Sequence, residues 1–277
     1  MSQGGGILVF LGPSLPLREA RPLLPGAVFL PPARQGDLYR AARDRRPAAI
    51  ALVDGFLGTA PPVWHREILW AMAEGVRVLG AASMGALRAA ELDAFGMVGI
   101  GKIYAAYKAG RYPPFADPFE DDAEVAVRQA PAELGSLPVS DAMVDLRETL
   151  AAAAAAGVIG GAVRDALAAA LGRLHFAERS MARLAAEAEA LPGTAAAAAA
   201  AAEGAALAAW LRCGHAVSQK RRDAAALLRH LAAGGLAPGA TPPGFAFERV
   251  QVWERFRAAA DAADGAARPR QAPAVAA

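Results

Sequence analysis

The fold is decided by residues 77–92, RVLGAASMGALRAAEL. A mostly apolar run of strand length, residues 76–79, leads into this stretch, and residues 86–92 are rich in strong helix formers. Ser83 stands between them among small residues, in the pattern A-x-S-x-G. A strand that turns sharply into a helix holds the residue at the turn above the carboxyl end of a sheet, as in a nucleophile elbow. Two interpretations of Ser83 stay open at this point: a nucleophile, or a serine that only caps the helix.

The segments before this stretch predict a parallel sheet. Further strands are expected at residues 7–11, 27–30 and 48–53, and helices at residues 17–24, 35–45 and 63–73. Alternating strands and helices indicate an α/β fold, a Rossmann-like parallel sheet core over about residues 7–130. Ligands of such sheets bind beyond the carboxyl ends of the strands. Ser14, Asp54 and Ser83 each follow a predicted strand, so we expect them along one edge of the sheet.

The composition changes after residue 135 to an α-helical C-terminal half. Helices are expected at residues 139–156, 163–191, 195–210, 217–233 and 247–262. We therefore divide the chain into an α/β core domain at 1–135, an α-helical region at 136–265 and a disordered tail at 266–277. Residues 95–101 are interpreted as a glycine-spaced connector, and residues 111–119 as a loop.

Charge and cysteine content exclude several classes of function. The 277 residues include 29 basic and 27 acidic side chains, a net charge of +2, so neither nucleic acid nor an anionic membrane is indicated as a partner. The single cysteine, Cys213, cannot form an internal disulfide or a multi-cysteine zinc site. Residues 1–6 do not resemble a signal peptide, and no run is apolar enough to span a membrane. We expect a cytoplasmic protein with no metal and no cofactor.

An acidic cluster at residues 120–124, EDDAE, opens a predicted helix that extends to residue 128. Acidic side chains are favoured at a helix N-terminus by the helix dipole. Asp121, Asp122 and Glu124 are therefore either a solvated helix cap or part of a metal or partner site.

A nucleophilic serine needs a group that accepts its proton. His65 is the only histidine of the α/β half, but it precedes Ser83, whereas the histidine of such triads usually follows the serine. A lysine serves as the base when burial or neighbouring positive charge keeps its amine neutral. The chain has three lysines: Lys102, Lys108, which we expect to be solvated, and Lys220, in a segment able to fold back over the core.

Several segments together resemble one protein family. They are residues 8–14 LVFLGPS, 54–55 DG, 64–69 WHREIL, 80–92 GAASMGALRAAEL, 95–97 FGM and 121–126 DDAEVA, with residues 219–224 QKRRDA as a looser match. In this combination the sequence, over roughly residues 7–150, looks like the TfuA-like family.

The resemblance implies a role beside YcaO enzymes, which use ATP to activate a backbone amide of a peptide. In pairs that make thioamides, the TfuA-like partner is understood to hydrolyse the C-terminal thiocarboxylate of a ubiquitin-like sulfur-carrier protein, and it also helps the YcaO enzyme to engage its precursor peptide. An adaptor that docks YcaO, peptide and carrier without catalysis is the alternative. A small-molecule α/β enzyme, such as an esterase, is a third possibility.

The resemblance also implies roles for individual residues. Ser83 is the nucleophile of a Ser–Lys pair, and N–H groups near Met84 and Gly85 hold the oxyanion. The family often has a lysine where this chain has Arg66, and a guanidinium is a poor base because it stays protonated. Lys102 or Lys220 then has to serve, unless the chain is an adaptor. The other predicted site residues are His65, Ser14, Asp54, Arg88, Glu91, Asp121, Asp122 and Glu124.

Overall fold

The computed structural model describes residues 5–57, 60–130, 137–190, 195–236 and 244–267. Within these ranges it has one five-stranded sheet in which every pair of neighbouring strands is parallel, in the order β2-β1-β3-β4-β5. The strands are β1 Ile7–Phe10, β2 Val28–Leu30, β3 Ala49–Leu52, β4 Arg77–Ala81 and β5 Val98–Ile100. The predicted α/β core with a parallel sheet is confirmed.

Helices flank the sheet and make up the C-terminal half. They are α1 Leu17–Leu23, α2 Asp37–Arg45, α3 His65–Ala73, α4 Met84–Leu92, α5 Lys102–Ala109, α6 Met143–Ala155, α7 Gly161–Gly172, α8 Met181–Glu189, α9 Ala195–Arg212, α10 Gln219–Ala232 and α11 Gln251–Ala267. None of the helices in the described part of the chain is both long and apolar enough to cross a membrane.

Alternating side chains of the strands form two apolar layers, one on each face of the sheet. On one face, Leu8 and Phe10 pack with residues of α2 and α3. On the other face, Val9 packs with α1 and with Leu227 and Leu228 of α10. Helix α10 is thus placed against the sheet although it lies more than a hundred residues after β4 in the chain. This packing brings its N-terminal residues to the carboxyl edge of the sheet.

Two further clusters hold the remaining helices. Residues of α5 to α9 share an apolar core that includes Val125, Leu146 and Leu167. Helix α11 is held by the fully buried Trp253, which packs with Tyr39 and with other aromatic side chains of α3 and α11.

Two predictions about the middle of the chain are wrong. The segment at 95–101 contains β5, which pairs with β4, and is more than a connector. The helix predicted from Glu120 to Arg128 is a single 3-10 turn, Asp122–Glu124. It does not continue because Glu124 turns inward to a buried ion pair with Arg147 and the Val125 carbonyl accepts hydrogen bonds from side chains.

The predicted helix at 163–191 is interrupted. Arg179 donates hydrogen bonds to the carbonyls of Leu171 and Gly172 and so ends α7, and Ser180 caps α8 by accepting from the Arg183 N–H. Of the tail predicted at 266–277, residues 266–267 belong to α11 and residues 268–277 lie outside the described part. The domain boundary at residue 135 stays a prediction.

Candidate active site

The turn between β4 and α4 is built from contacts that only small residues allow. Ala82 has φ +66° although it is not glycine, and the Ser83 N–H donates to the Ala81 carbonyl at 2.8 Å. A Cβ at Gly80 would overlap the Gly85 carbonyl, and a Cβ at Gly85 would overlap the Leu52 carbonyl. Backbone strain of this kind persists where the surrounding structure enforces it, commonly at functional sites. Residues 80–85 therefore form a tight, strained elbow with Ser83 at the turn.

The Ser83 side chain makes no capping hydrogen bond to α4. Its Oγ instead donates to the Val125 carbonyl, with 3.4 Å between the oxygens, and the residue is only 4% exposed. The geometry does not match the capping interpretation, because the hydroxyl is bonded to Val125 and accepts from no N–H group of α4.

Lys220 reaches the same carbonyl from α10. Its Nζ donates to the Val125 oxygen at 2.8 Å, and the residue is 3% exposed. Burial lowers the pKa of Lys220, against the charges of Asp54 and Asp145, which raise it. The structure therefore places a serine hydroxyl and a lysine amine with a raised neutral fraction against one shared acceptor.

The first turn of α10 is fixed by carboxylates. Asp145 of α6 accepts from the Lys220 N–H at 3.0 Å and from Ser218 Oγ at 2.9 Å. Asp223 accepts from the Ile103 N–H at 2.8 Å and from the side chain of Gln219 at 2.7 Å. The segment QKRRDA is thus divided: Gln219, Lys220 and Asp223 face the core, and the two arginines are exposed. These bonds set the direction of the Lys220 side chain.

Ser14 and Asp54 lie at the same carboxyl edge, after β1 and β3. Ser14 Oγ donates to Asp54 Oδ1 at 2.6 Å, and the N–H groups of Gly12 and Ser14 donate to Oδ2 at 2.8 and 3.1 Å. The Asp54 carboxylate acts on Lys220 through its charge, whereas its hydrogen bonds go to the loop after β1. The expectation that Ser14, Asp54 and Ser83 share one edge is confirmed.

The two N–H groups predicted for an oxyanion differ in their availability. The Gly85 N–H already donates to the Val53 carbonyl at 3.3 Å. The Met84 N–H opens α4, and no group in the described ranges accepts from it. Of these two groups, the Met84 N–H is therefore the one available as a donor beside Ser83.

The other candidate bases lie elsewhere. Lys102 is 41% exposed on its side chain, and its Nζ donates to Glu148 Oε2 at 2.6 Å. Arg66 donates to the Glu248 carbonyl at 3.0 Å. Lys108 pairs with Asp93 at 2.9 Å. None of these contacts involves Ser83.

His65, Arg88 and Glu91 form a separate group. His65 Nε2 lies 2.8 Å from Glu91 Oε2, and Arg88 donates to the same oxygen at 2.7 Å and to the Val63 carbonyl at 2.9 Å. The hydrogen bonds from His65 and Arg88 lower the pKa of Glu91 against burial, which raises it. This arrangement joins α3 to α4 and leaves His65 paired away from Ser83.

The acidic cluster anchors the segment that carries the Val125 carbonyl. Glu124 accepts two hydrogen bonds from Arg147, at 2.9 and 3.1 Å, and Asp121 caps the turn by accepting from the Ala123 N–H at 2.8 Å. Burial and the neighbouring Asp121 raise the pKa of Asp122. Within the described ranges, no group of three or more His, Cys, Asp or Glu side chains is suited to a metal ion.

Sequence reasoning missed three parts of the site: the Val125 carbonyl, Asp145 and Ser218. A backbone carbonyl leaves no signal in a sequence, because every residue has one. Ser218 lies at the start of the helix predicted at 217–233, where a serine is a common cap, and could have been recognised as the cap of α10. Asp145 lies in an ordinary helical segment and carries no such signal.

Comparison with known protein families finds a match for part of the chain. Residues 54–180 match the model of a family described as TfuA-like protein. The match includes the elbow, Val125 and Asp145, and ends before Lys220. No curated protein matches the chain. The region of the chain from residue 54 to residue 180 is therefore similar to the TfuA-like family.

Proposed function

We propose that this chain is a TfuA-like accessory protein of a YcaO enzyme and a thiocarboxylate hydrolase. Its substrate is the C-terminal thiocarboxylate of a ubiquitin-like sulfur-carrier protein, and the sulfide it releases in the cytoplasm is used for thioamidation of a precursor peptide bound by YcaO. The observation that supports the hydrolase most is the shared acceptor: Ser83 Oγ and Lys220 Nζ both donate to the Val125 carbonyl inside a strained elbow.

In the first half of the reaction, the neutral Lys220 amine takes the proton of the Ser83 hydroxyl. The Ser83 oxygen forms a bond to the thiocarboxylate carbon, and the Met84 N–H donates to the oxyanion. The carbon–sulfur bond then breaks, and the proton held by Lys220 leaves with sulfur as hydrosulfide. An acyl ester on Ser83 remains.

In the second half, Lys220 takes a proton from water, and the resulting hydroxide attacks the acyl ester. The ester bond to Ser83 breaks, and the proton on Lys220 returns to the serine oxygen. The net reaction converts one thiocarboxylate and one water into one carboxylate and one hydrogen sulfide. Burial of Lys220 suits both halves, because it favours the neutral amine that each proton transfer requires.

Access to the site requires a change at Val125. Ser83 and Lys220 are both nearly fully buried, and the Val125 carbonyl occupies the space between their polar atoms. Entry of a carrier tail therefore requires the peptide at Val125 to move away from the two side chains. A thin, glycine-rich tail is the kind of substrate that fits such a narrow opening.

The test of the hydrolase is sulfide release from a purified carrier thiocarboxylate. We expect Ser83→Ala to lower the rate about a thousandfold or more, because the nucleophile is lost. Ser140→Ala is the matched control: Ser140 is also buried, and the hydrogen bond that its Oγ accepts comes from the Arg128 N–H. An unchanged rate in a folded Ser83→Ala protein would contradict a nucleophilic serine.

The closed site favours one second candidate, the adaptor that docks YcaO, peptide and carrier without hydrolysis. An adaptor needs no open path to Ser83, which agrees with its 4% exposure. Binding of the YcaO partner, measured beside sulfide release, separates the two functions. If the wild type binds YcaO and releases no sulfide with all partners present, the adaptor is the correct function.

A further inference from the structure

A groove runs between α1 and the N-terminal half of α10. Its volume is about 610 Å³. Leu15, Leu23, Val217 and Ala225 give it an apolar floor, and Arg221, Arg222 and Arg229 stand along its rim. We call this surface the α1–α10 groove.

The rim of the groove is cationic. Arg221 and Arg229 are exposed and lie eight residues apart on α10, on one face with Ala225 between them. Arg221 pairs with Glu19 of α1, and Arg222 lies 3.5 Å from Glu148. Arg229 has no acidic partner among the residues that the structure describes. The groove therefore carries more positive charge than its own acids neutralise.

The groove is connected to the candidate site at both of its walls. Leu15 directly follows Ser14, whose hydroxyl binds Asp54 at the carboxyl edge of the sheet. Ser218 and Arg221 belong to the helical turn that places Lys220. A chain held in the groove thus lies beside the edge where the tail must enter.

The lining favours a protein over a nucleic acid. The floor is aliphatic, a carboxylate from Glu19 lies within the groove, and no aromatic side chain lines it for stacking with bases. The chain as a whole is close to charge balance, at +2. Arginine rims around an apolar centre are typical of protein interfaces.

We propose that the α1–α10 groove binds an acidic segment of the sulfur-carrier protein and so holds the carrier while its tail enters the site. This inference rests on the proposed function for the identity of the partner. Rim arginines steer an acidic partner mainly through long-range charge, so the association should weaken as salt is raised.

The experiment measures binding of the purified carrier in its unreactive carboxylate form, by titration at low and at physiological salt. We expect the charge reversal Arg221→Glu together with Arg229→Glu to raise Kd at least tenfold. Arg183→Glu is the matched control, because Arg183 is similarly exposed and pairs with an acid, Glu187, on the distant α8. It should change Kd less than twofold.

Each outcome decides between the two proposals. If the charge-reversed protein and the wild type bind the carrier equally well, the proposal that the groove binds the carrier is wrong. Sulfide release could still support the hydrolase. If the carrier binds through the groove but no sulfide is released, the proposal for the groove holds and the proposal that the chain is a hydrolase is wrong. If a single-stranded RNA binds the wild type more tightly than the carrier and loses affinity with the same two substitutions, the occupant is a nucleic acid and the proposal is wrong.

Discussion

Lys102 and Lys220 lie on neighbouring helices, α5 and α10, in opposite surroundings. The Lys102 amine is partly exposed and bonded to a carboxylate, Glu148, at 2.6 Å. The Lys220 side chain is buried, and its amine donates to a neutral carbonyl, that of Val125. Burial lowers the pKa of Lys220, whereas Lys102 lies at the surface in an ion pair. Chemical role therefore depends on the surroundings of a lysine, and Lys220 has the surroundings of a base.

The largest effect is expected when the amine of Lys220 is removed while an apolar chain of similar length is kept, with the same change at Lys102 as the control. We expect Lys220→Met to lower sulfide release about a thousandfold, because Ser83 loses its base. Lys102→Met should change the rate less than threefold, since only a surface ion pair is lost. Thermal unfolding checks that both proteins fold. If the two variants lose the same fraction of the sulfide-release rate, Lys220 has no special role as a base.

A smaller effect is expected from loosening the segment that presents the Val125 carbonyl. Arg147→Ala leaves the buried Glu124 carboxylate without its partner, so we expect a loss of about 3 kcal/mol in the free energy of unfolding. Arg183→Ala, which breaks an exposed pair with Glu187, should cost less than about 1 kcal/mol. Denaturant titration of both proteins measures these values. A small loss for Arg147→Ala would mean that other contacts hold the segment.

The pH dependence of the rate should report on the amine of Lys220 and not on that of Lys102. A base works only as the neutral amine, so below the pKa of Lys220 the rate should rise about tenfold per pH unit and then level off. Because burial lowers this pKa, the levelling should occur below about 10.5, the value of an ordinary lysine. The Lys102→Met profile should coincide with that of the wild type. A rate that falls with rising pH would contradict a lysine base.

The smallest effect is expected at Arg66, where the resemblance to the TfuA-like family implies a lysine. Its guanidinium contacts the Glu248 carbonyl and lies over the Phe247 ring, away from Ser83. We expect both Arg66→Lys and Arg66→Ala to leave sulfide release within about twofold of the wild type. A rise of tenfold or more in Arg66→Lys would show that this position carries the base.

The sheet was predictable from local sequence because buried parallel strands are continuous apolar runs, such as residues 7–11 and 48–53. The short edge strand β5 was missed because glycines interrupt its apolar residues. The acidic cluster has the pattern of a helix start, yet Glu124 forms an ion pair with Arg147. That pairing depends on tertiary packing and leaves no local pattern.

The candidate site was predictable only in part. Ser83 has a local signal, a small-residue turn between a strand and a helix. Lys220 was one of several possible bases, because the sequence does not show that α10 returns to the sheet. The Val125 carbonyl, which the two side chains share, has no sequence signal at all.

We claim that Ser83 and Lys220 act as one catalytic unit, and a double-mutant comparison examines whether they do. Sulfide release is measured for the wild type, Ser83→Ala, Lys220→Met and the protein with both substitutions. If the pair acts as a unit, each single variant loses about a thousandfold and the double variant loses no more than either. Losses that multiply in the double variant, or a Lys220→Met protein that keeps wild-type activity, would contradict the claim.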